Sequence, residues 1–509
     1  MKKLVTLVLA SLMLLPLLSA AVLANDIDTS EHVVITMLVT GNIPTNKTDE
    51  ALVVLNEKLT ARINAELAIE WIEWTDWQTK YNLALATQDG SIDLIGTATD
   101  WLDAWPNIQR GAFMPISEEM LQTYAPGTWA QVPAEHWELC KYNGEIYLFP
   151  EDNYAQWTNH GMQYRGDWAR EAGLENGVNN FEELRQYFQY VKDNKEGVVP
   201  WDVAASGSSK PQELAGGWQA SHTGNIAIEG LPVALFYGNS KDDLYTLSTY
   251  YLEGDELINF ANEMKEWNDA GFWREDVLNY TGETIQMVYS GLSGADAHHT
   301  QTWRGQRPNV EEKQPGADWS FYWYGKDTQN LVSLNITHGA MAVAAQSRNP
   351  ERALMLYDLI RNDPEIYALV NYGIEGQQYI INEDGLRERP DTYVDDTIDA
   401  VSFNYWWGRN DDLEIRDSRF DWDAYDALVA EYDACAIVYP YGKVVFELNS
   451  IRAELDNLSN VYNTYIPQIA FGKAADPESF VAEFRAALQN AGIEKAMAEV
   501  QAQIDAVYK

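Results

Sequence analysis

A two-lobed α/β protein is the fold class this sequence predicts, and three observations predict it. Residues 32–96 read strand, helix, strand, helix, strand, the order that generates a parallel doubly wound sheet. Residues 1–24 have the features of a cleavable leader, and the roughly 485 that follow exceed what one hydrophobic core holds. With 46% hydrophobic residues and no long low-complexity tract, the remainder is expected to be globular throughout.

Residues 32–39 (HVVITMLV) form a compact apolar run ending in Thr40-Gly41-Asn42, a turn at the strand's carboxyl end. Leu52, Leu55, Leu59 and Ile63 make one stripe of a helix over 49–67. Residues 67–74 alternate as a second strand, 76–86 read as a second helix, and 92–96 as a third strand. Ligands of such sheets lie beyond the carboxyl ends of the strands, so Gly41, residues 74–77 and residues 97–101 are expected to line one rim. From about residue 151 a second lobe is predicted, with helices over 161–172, 181–194 and 257–270 and a strand over 282–291 ending at the cleft. After a strand-like stretch at 339–345, Asn349 before Pro350 reads as a helix cap, with Ala353, Leu354, Tyr357, Leu359 and Ile360 on the apolar face. Asp363-Pro364 repeats the start signal, and Gly373 supplies a left-handed stop. Helices are expected over 426–436 and 443–458, and one or two amphipathic helices over 477–508.

Lys2 and Lys3 precede an apolar run over 4–23, and Val22-Leu23-Ala24 suits cleavage before Asn25. This predicts an extracytoplasmic protein; a single anchoring helix is the other reading of the same run. The chain carries 35 basic and 77 acidic side chains, a net charge of −42, and removing residues 1–24 takes two lysines and no acids, leaving −44. Such a surface repels nucleic acid and anionic lipid and favours neutral or cationic ligands unless a local basic pocket exists. The only cysteines, Cys140 and Cys435, leave one long-range disulfide or two free thiols equally open. No metal signature stands out; His298-His299 alone reads as a polar loop, and no cofactor is expected.

Residues 339–381, with their strand, two short helices and the loop Gly373-Ile374-Glu375-Gly376, resemble the late crossover region of extracellular solute-binding proteins of ABC importers. The likeness is to the sugar-binding, lipoprotein-like group with a C-terminal extension. The short turn after the first strand, the Trp-rich start of the second helix, an acid beside an aromatic after the third strand, residues 111–116 and residues 142–150 match it as a set. The resemblance implies a periplasmic-binding-protein-like fold in which each lobe is a doubly wound sheet flanked by helices, joined by a multi-strand hinge. It places residues 25–149 and 340–385 in lobe one, and 150–339 and 386–509 in lobe two with its extension. It also implies a monomer that hands a captured saccharide to the membrane permease subunits of an ABC importer, without catalysis. The group's lipobox cysteine is missing near Leu18-Ser19-Ala20-Ala21, which favours a periplasmic or freely secreted protein over a lipid-attached one.

The ligand class follows from aromatic content. Nineteen Trp and 29 Tyr exceed what core packing requires, and a pyranose, with an apolar C–H face and a hydroxyl rim, needs flat aromatic platforms beside carboxylates and amides. The residues expected to contact a saccharide are Trp74, Asp76, Trp77, Asp100, Trp101, Glu151, Trp157, Trp218, Glu375 and Trp406. Glu151 is expected to supply rim contacts at the hinge, and Glu375 to bind ligand hydroxyls or tie the lobes on closure. A peptide or other organic-solute receptor is the competing binding reading, since an acidic aromatic cleft also suits cations. A glycoside hydrolase needs two carboxylates at a fixed separation, a pattern that 77 acids neither specify nor exclude. Ser206-Gly-Ser-Ser lacks the glycines and flanking elements of a nucleophile elbow and reads as a flexible loop.

Overall fold

The structure, a computed structural model, describes residues 27–154, 160–205 and 210–509. The expected leader, Trp157 and the 206–209 loop lie outside the described residues.

The first lobe is built on a five-stranded sheet in the order Ala65–Ile72, Val33–Thr40, Leu94–Thr97, Ala340–Val343, Phe149–Pro150. The first three strands are parallel, as the alternation of strands and helices requires. Ala340–Val343 runs antiparallel to Leu94–Thr97 and to Phe149–Pro150. Consequently the ends that lead into residues 98–101, out of residues 335–339 and into residues 151–154 all meet at the carboxyl edge of the parallel strands. Leu55, Leu59 and Ile63 are buried on helix Thr48–Ile63, so the predicted stripe is the face that packs. The helix stops at Asn64, in the left-handed conformation, and the next strand begins at once at Ala65.

The two late helices are Pro350–Asn362 and Pro364–Tyr372, as the sequence predicts. Asp363 caps the second by accepting from the Glu365 and Ile366 amides, whereas Asn349 makes no side-chain cap and instead donates its own amide to the Ser347 hydroxyl. Arg361 on the first helix is fully buried and donates to the Pro150 carbonyl, to Asp152 at 2.7 Å and to Gln131 at 2.9 Å. This satisfied cation pins the helix to the point where the chain leaves the first lobe.

In the second lobe three antiparallel strands, Ala295–His299, His160–Arg165 and Trp319–Trp323, form a smaller sheet than a doubly wound one, covered on both faces. Period-two alternation divides its side chains. Met162, Tyr164, Ala295, Ala297 and Tyr322 enter the larger core with the Phe181–Asn194, Glu256–Ala270 and C-terminal helices. Trp319, Phe321 and Trp323 face a second cluster with Trp303, Tyr425 and Tyr432.

Two expected elements are corrected here. Residues 161–165, read as the start of a helix, belong to the strand His160–Arg165; Gly161 is required because a Cβ there would lie 2.2 Å from the Tyr322 carbonyl of the neighbouring strand. Residues 282–291, read as a strand, contain the helix Thr284–Tyr289, because Ile285, Val288 and Tyr289 recur at helical spacing and pack together on the Trp303 cluster. The strand that reaches the cleft is the next one, Ala295–His299.

The helix expected over 443–458 begins only at Arg452 and runs to Ala470; Pro477–Ala491 and Ile493–Tyr508 complete the second core. Phe403, Tyr405 and Trp407 join the core of the first lobe, so a boundary at 386 assigns that segment to the wrong lobe. Cys140 and Cys435 are free, in different clusters. Among the described residues no helix is long and apolar enough to cross a membrane.

Candidate functional site

Five tryptophans gather at the carboxyl edge of the first sheet. Trp74 follows the second strand and Trp77 opens the helix Trp77–Ala86; Trp101 follows the third strand, and Trp406 and Trp407 arrive from residues 403–407. Asp76 sits between the first two in the left-handed conformation (φ 54°), turning the chain so that both indoles face the same rim. Its carboxylate is exposed and makes no cap bond to the helix, so its structural part is the turn.

Trp74 stacks on Trp406 with centroids 5.8 Å apart and planes 17° apart, and Trp101 stacks on Trp407 at 5.8 Å and 21°. Trp77 closes the group edge-on, 5.5 Å from Trp101 and 6.3 Å from Trp74. Trp407 is fully buried and lies on the backbone at Gly96, where a Cβ would come within 2.5 Å of its ring. The other four retain exposure, Trp74 the most at 39%. The result is a stepped aromatic surface with a buried floor.

Polar groups border it. The Trp101 indole donates to the His338 carbonyl, and the His338 Nδ1 lies 2.6 Å from the Asp100 carboxylate. Burial alone would lower the His338 pKa, but the charge and hydrogen bond of Asp100, with Glu229 and Glu151 beyond, raise it above the ordinary 6.5. Glu229 comes from the second lobe; its neighbour Gly230 lies over the Thr99 carbonyl of the first, where a Cβ would be 3.0 Å away. The Glu229 residue keeps some surface in the cleft, yet its carboxyl is walled in by both lobes, and burial, then repulsion from Asp100, push its pKa up to about 8 against the pull of His338.

On the opposite wall, His160 and His298 stack at 5.8 Å, and His299 lies 4.4 Å from His298 and 6.0 Å from His160. Burial, then His298, His160, His338 and Arg409, hold the His299 pKa well below 6.5, which keeps that imidazole uncharged at neutral pH. Among the described residues no group of three or more His, Cys, Asp or Glu is arranged to hold a metal ion.

Several residues expected to touch ligand are placed otherwise. Glu151 is a hinge tie: its carboxylate accepts from the Gly408 and Arg409 amides at 2.9 and 3.1 Å, and from the Arg409 guanidinium at 3.3 Å, while Arg409 lies over the Tyr154 ring. Trp218 is a core residue, stacked on His222 at 3.7 Å and edge-on to Phe181. Glu375 is exposed on a loop closed by Gln378, which accepts from the Ile374 amide; its described neighbour is Tyr379, and none of its described contacts reaches the tryptophans. The expected platform of Trp74, Trp77, Trp101 and Trp406 with Asp100 is brought together. His160, His338 and Glu229 were missed, and His298-His299 was read only as a polar loop, because each is unremarkable alone and they converge from separate segments of the chain.

Residues 440–509 match the family described as a domain of unknown function, DUF3502. Over 95% of its length the chain is 22% identical to a carbohydrate ABC transporter substrate-binding protein of Streptococcus pneumoniae, covering 92% of that protein. Its structure is similar to the N-glycan transport solute-binding protein NgtS of the same organism bound to Man1GlcNAc, with a TM-score of 0.71, 18% identity, and coverage of 93% of this chain and 99% of that one. It is also similar to the S. pneumoniae substrate-binding protein FusA in complex with kestose, with a TM-score of 0.65, 14% identity, and coverage of 93% and 99%.

Proposed function

We propose that this chain, which has the two-lobed fold of extracellular solute-binding proteins over nearly its whole described length, captures a carbohydrate between its lobes for import by an ABC transporter. The observation that carries the reading is the stepped tryptophan surface at the carboxyl edge of the first sheet. Its rings match the C–H faces of successive pyranoses, and Asp100 and His338 stand at its border to meet hydroxyls. The site is a binding site rather than a catalytic one, in keeping with its full-length relative, a substrate-binding protein.

Capture proceeds by closure. Ligand laid on the first-lobe rings gains contacts from the histidine wall and from Glu229 only when the lobes approach, and this difference shifts the hinge equilibrium toward the closed state. Glu151, Arg409 and Tyr154, at the crossings, carry the motion. The partners in this reading are a saccharide and the importer's membrane subunits, and the working form is an extracytoplasmic monomer. Thermal unfolding against mono- and oligosaccharides, amino acids and peptides tests it. A saccharide at about 100 times its Kd should stabilise the protein by about 2.7 kcal/mol. Stabilisation by peptides alone would refute it.

A further inference from the structure

The second lobe contains a cavity that the tryptophan surface does not use. It measures about 370 Å³ and lies between helix Lys210–His222, the hairpin strand Ile226–Ala227 and residues 330–334. A water occupies about 30 Å³ of liquid, so this space is ring-sized, and it falls within the range of small-molecule sites.

Its polar lining has spare hydrogen-bonding capacity. Tyr324 is 5% exposed, and its hydroxyl has no partner among the described residues. The Gln212 Oε1 and Glu229 Oε2 atoms are likewise sealed from solvent and unpartnered. A donor-capable hydroxyl and two acceptors left unmet around one space point to a polar occupant, because a polar group buried without a partner loses the hydrogen bonds that water would give it. Glu213 and His160 complete the rim, 3.5 Å apart, and no lysine or arginine is among its described lining residues.

Glu229 connects this space to the cleft: it lines the cavity while its carboxyl interacts with Asp100 and His338 beside the platform. Helix residue Gly216 also lines the cavity, and a Cβ added there meets nothing within 4 Å.

We propose that this cavity is a second saccharide subsite, which takes an uncharged, hydroxyl-rich end residue of an oligosaccharide whose other rings lie on the tryptophans, and turns away a residue carrying a carboxylate. The inference rests on the carbohydrate-binding reading above. Hydroxyls can both donate to Gln212 and Glu213 and accept from Tyr324, whereas a uronate would meet the Glu213 carboxyl group with no lysine or arginine among the described lining residues to offset it.

Titration calorimetry of the full chain with neutral oligosaccharides of one to six residues, and with oligouronates, tests the proposal. The unsubstituted protein should bind its longer neutral ligands at least about tenfold more tightly than its shortest. Gly216→Phe, which fills the cavity from a helical position, should erase that length advantage and leave the shortest ligand's affinity unchanged. Tyr324→Phe keeps the ring and should weaken only the longer ligands, by about tenfold, the size of one lost hydrogen bond. An intact length advantage in Gly216→Phe overturns the subsite and means that water fills the cavity. An oligouronate that binds better than its neutral counterpart also overturns it. Loss of all binding in Trp101→Ala alongside unchanged Gly216→Phe would leave the platform standing and remove the cavity. Failure of every saccharide to bind the unsubstituted protein would remove both.

Discussion

The two walls of the cleft differ in how they are made ready for ligand. The first-lobe wall is a stack of tryptophans whose positions are fixed by one another and by a buried floor. The second-lobe wall is a histidine cluster beside a cavity with several unmatched polar atoms. An aromatic surface is complete without ligand and loses little when it is empty, whereas a polar cavity is satisfied only by an occupant. The difference implies a division of labour: the first wall supplies affinity for sugar rings in general, and the second supplies selectivity among them.

Within the first wall, Trp407 and its neighbours should separate fold from binding. Trp407→Ala removes a fully buried indole and should cost about 3–5 kcal/mol of stability in denaturant unfolding. Trp74→Ala, at a ring 39% exposed, should leave unfolding nearly unchanged while weakening saccharide binding by about 1–3 kcal/mol in calorimetry. If the two substitutions act alike in both measurements, the distinction between floor and surface is wrong.

The junction of the walls should respond to pH from both sides. The folded pKa of Glu229, about 8, lies above its unfolded value of 4.5, so the folded state holds a proton the unfolded chain has lost, and stability falls as pH rises from about 4.5 through 8. His338, also raised, contributes stability that is present below 6.5 and is lost as pH rises through its folded pKa. His299 acts oppositely: its lowered pKa means that stability present above 6.5 is lost as the pH falls. Thermal unfolding should therefore show little net change between about pH 4.5 and 6.5, where the Glu229 and His299 contributions oppose each other, and lose stability as pH rises above 6.5. Glu229→Gln should remove its share of the fall between about pH 4.5 and 8, and an unaltered pH dependence across that window in that variant would contradict the assignment.

Glu375→Gln should have the smallest effect, within about 0.5 kcal/mol on both stability and saccharide affinity, because its side chain is exposed. A clear loss of affinity would bring the 373–376 loop back to the cleft and enlarge the first wall.

The contrast also explains what the sequence made legible. The first lobe could be read in order, because parallel strands alternating with helices are local patterns, and the rule that ligands sit at carboxyl ends located Trp74, Trp77 and Trp101. The second lobe resisted. Its strands are short, antiparallel and interrupted by glycines whose need arises only from a neighbouring strand, as at Gly161. Its polar wall is assembled from His160, Gln212, Glu229, His298 and Tyr324, which share no spacing. Glu151 and Trp218 were misplaced for a common reason: residue type marks a side chain that could meet a sugar, but only packing decides whether the hinge or the core has already claimed it.

The bed that Gly96 provides for Trp407 sets an order of assembly. The two positions are 311 residues apart in the chain, yet the floor of the platform exists only when the late segment lies on the early strand. Nascent protein can complete the parallel strands of the first lobe while this patch is still bare, and the patch is covered only after the second-lobe sheet, strands His160–Arg165, Ala295–His299 and Trp319–Trp323, has been synthesised. The platform floor is therefore completed late in synthesis, and a chain cut short before residue 400 leaves the apolar patch at Gly96 uncovered.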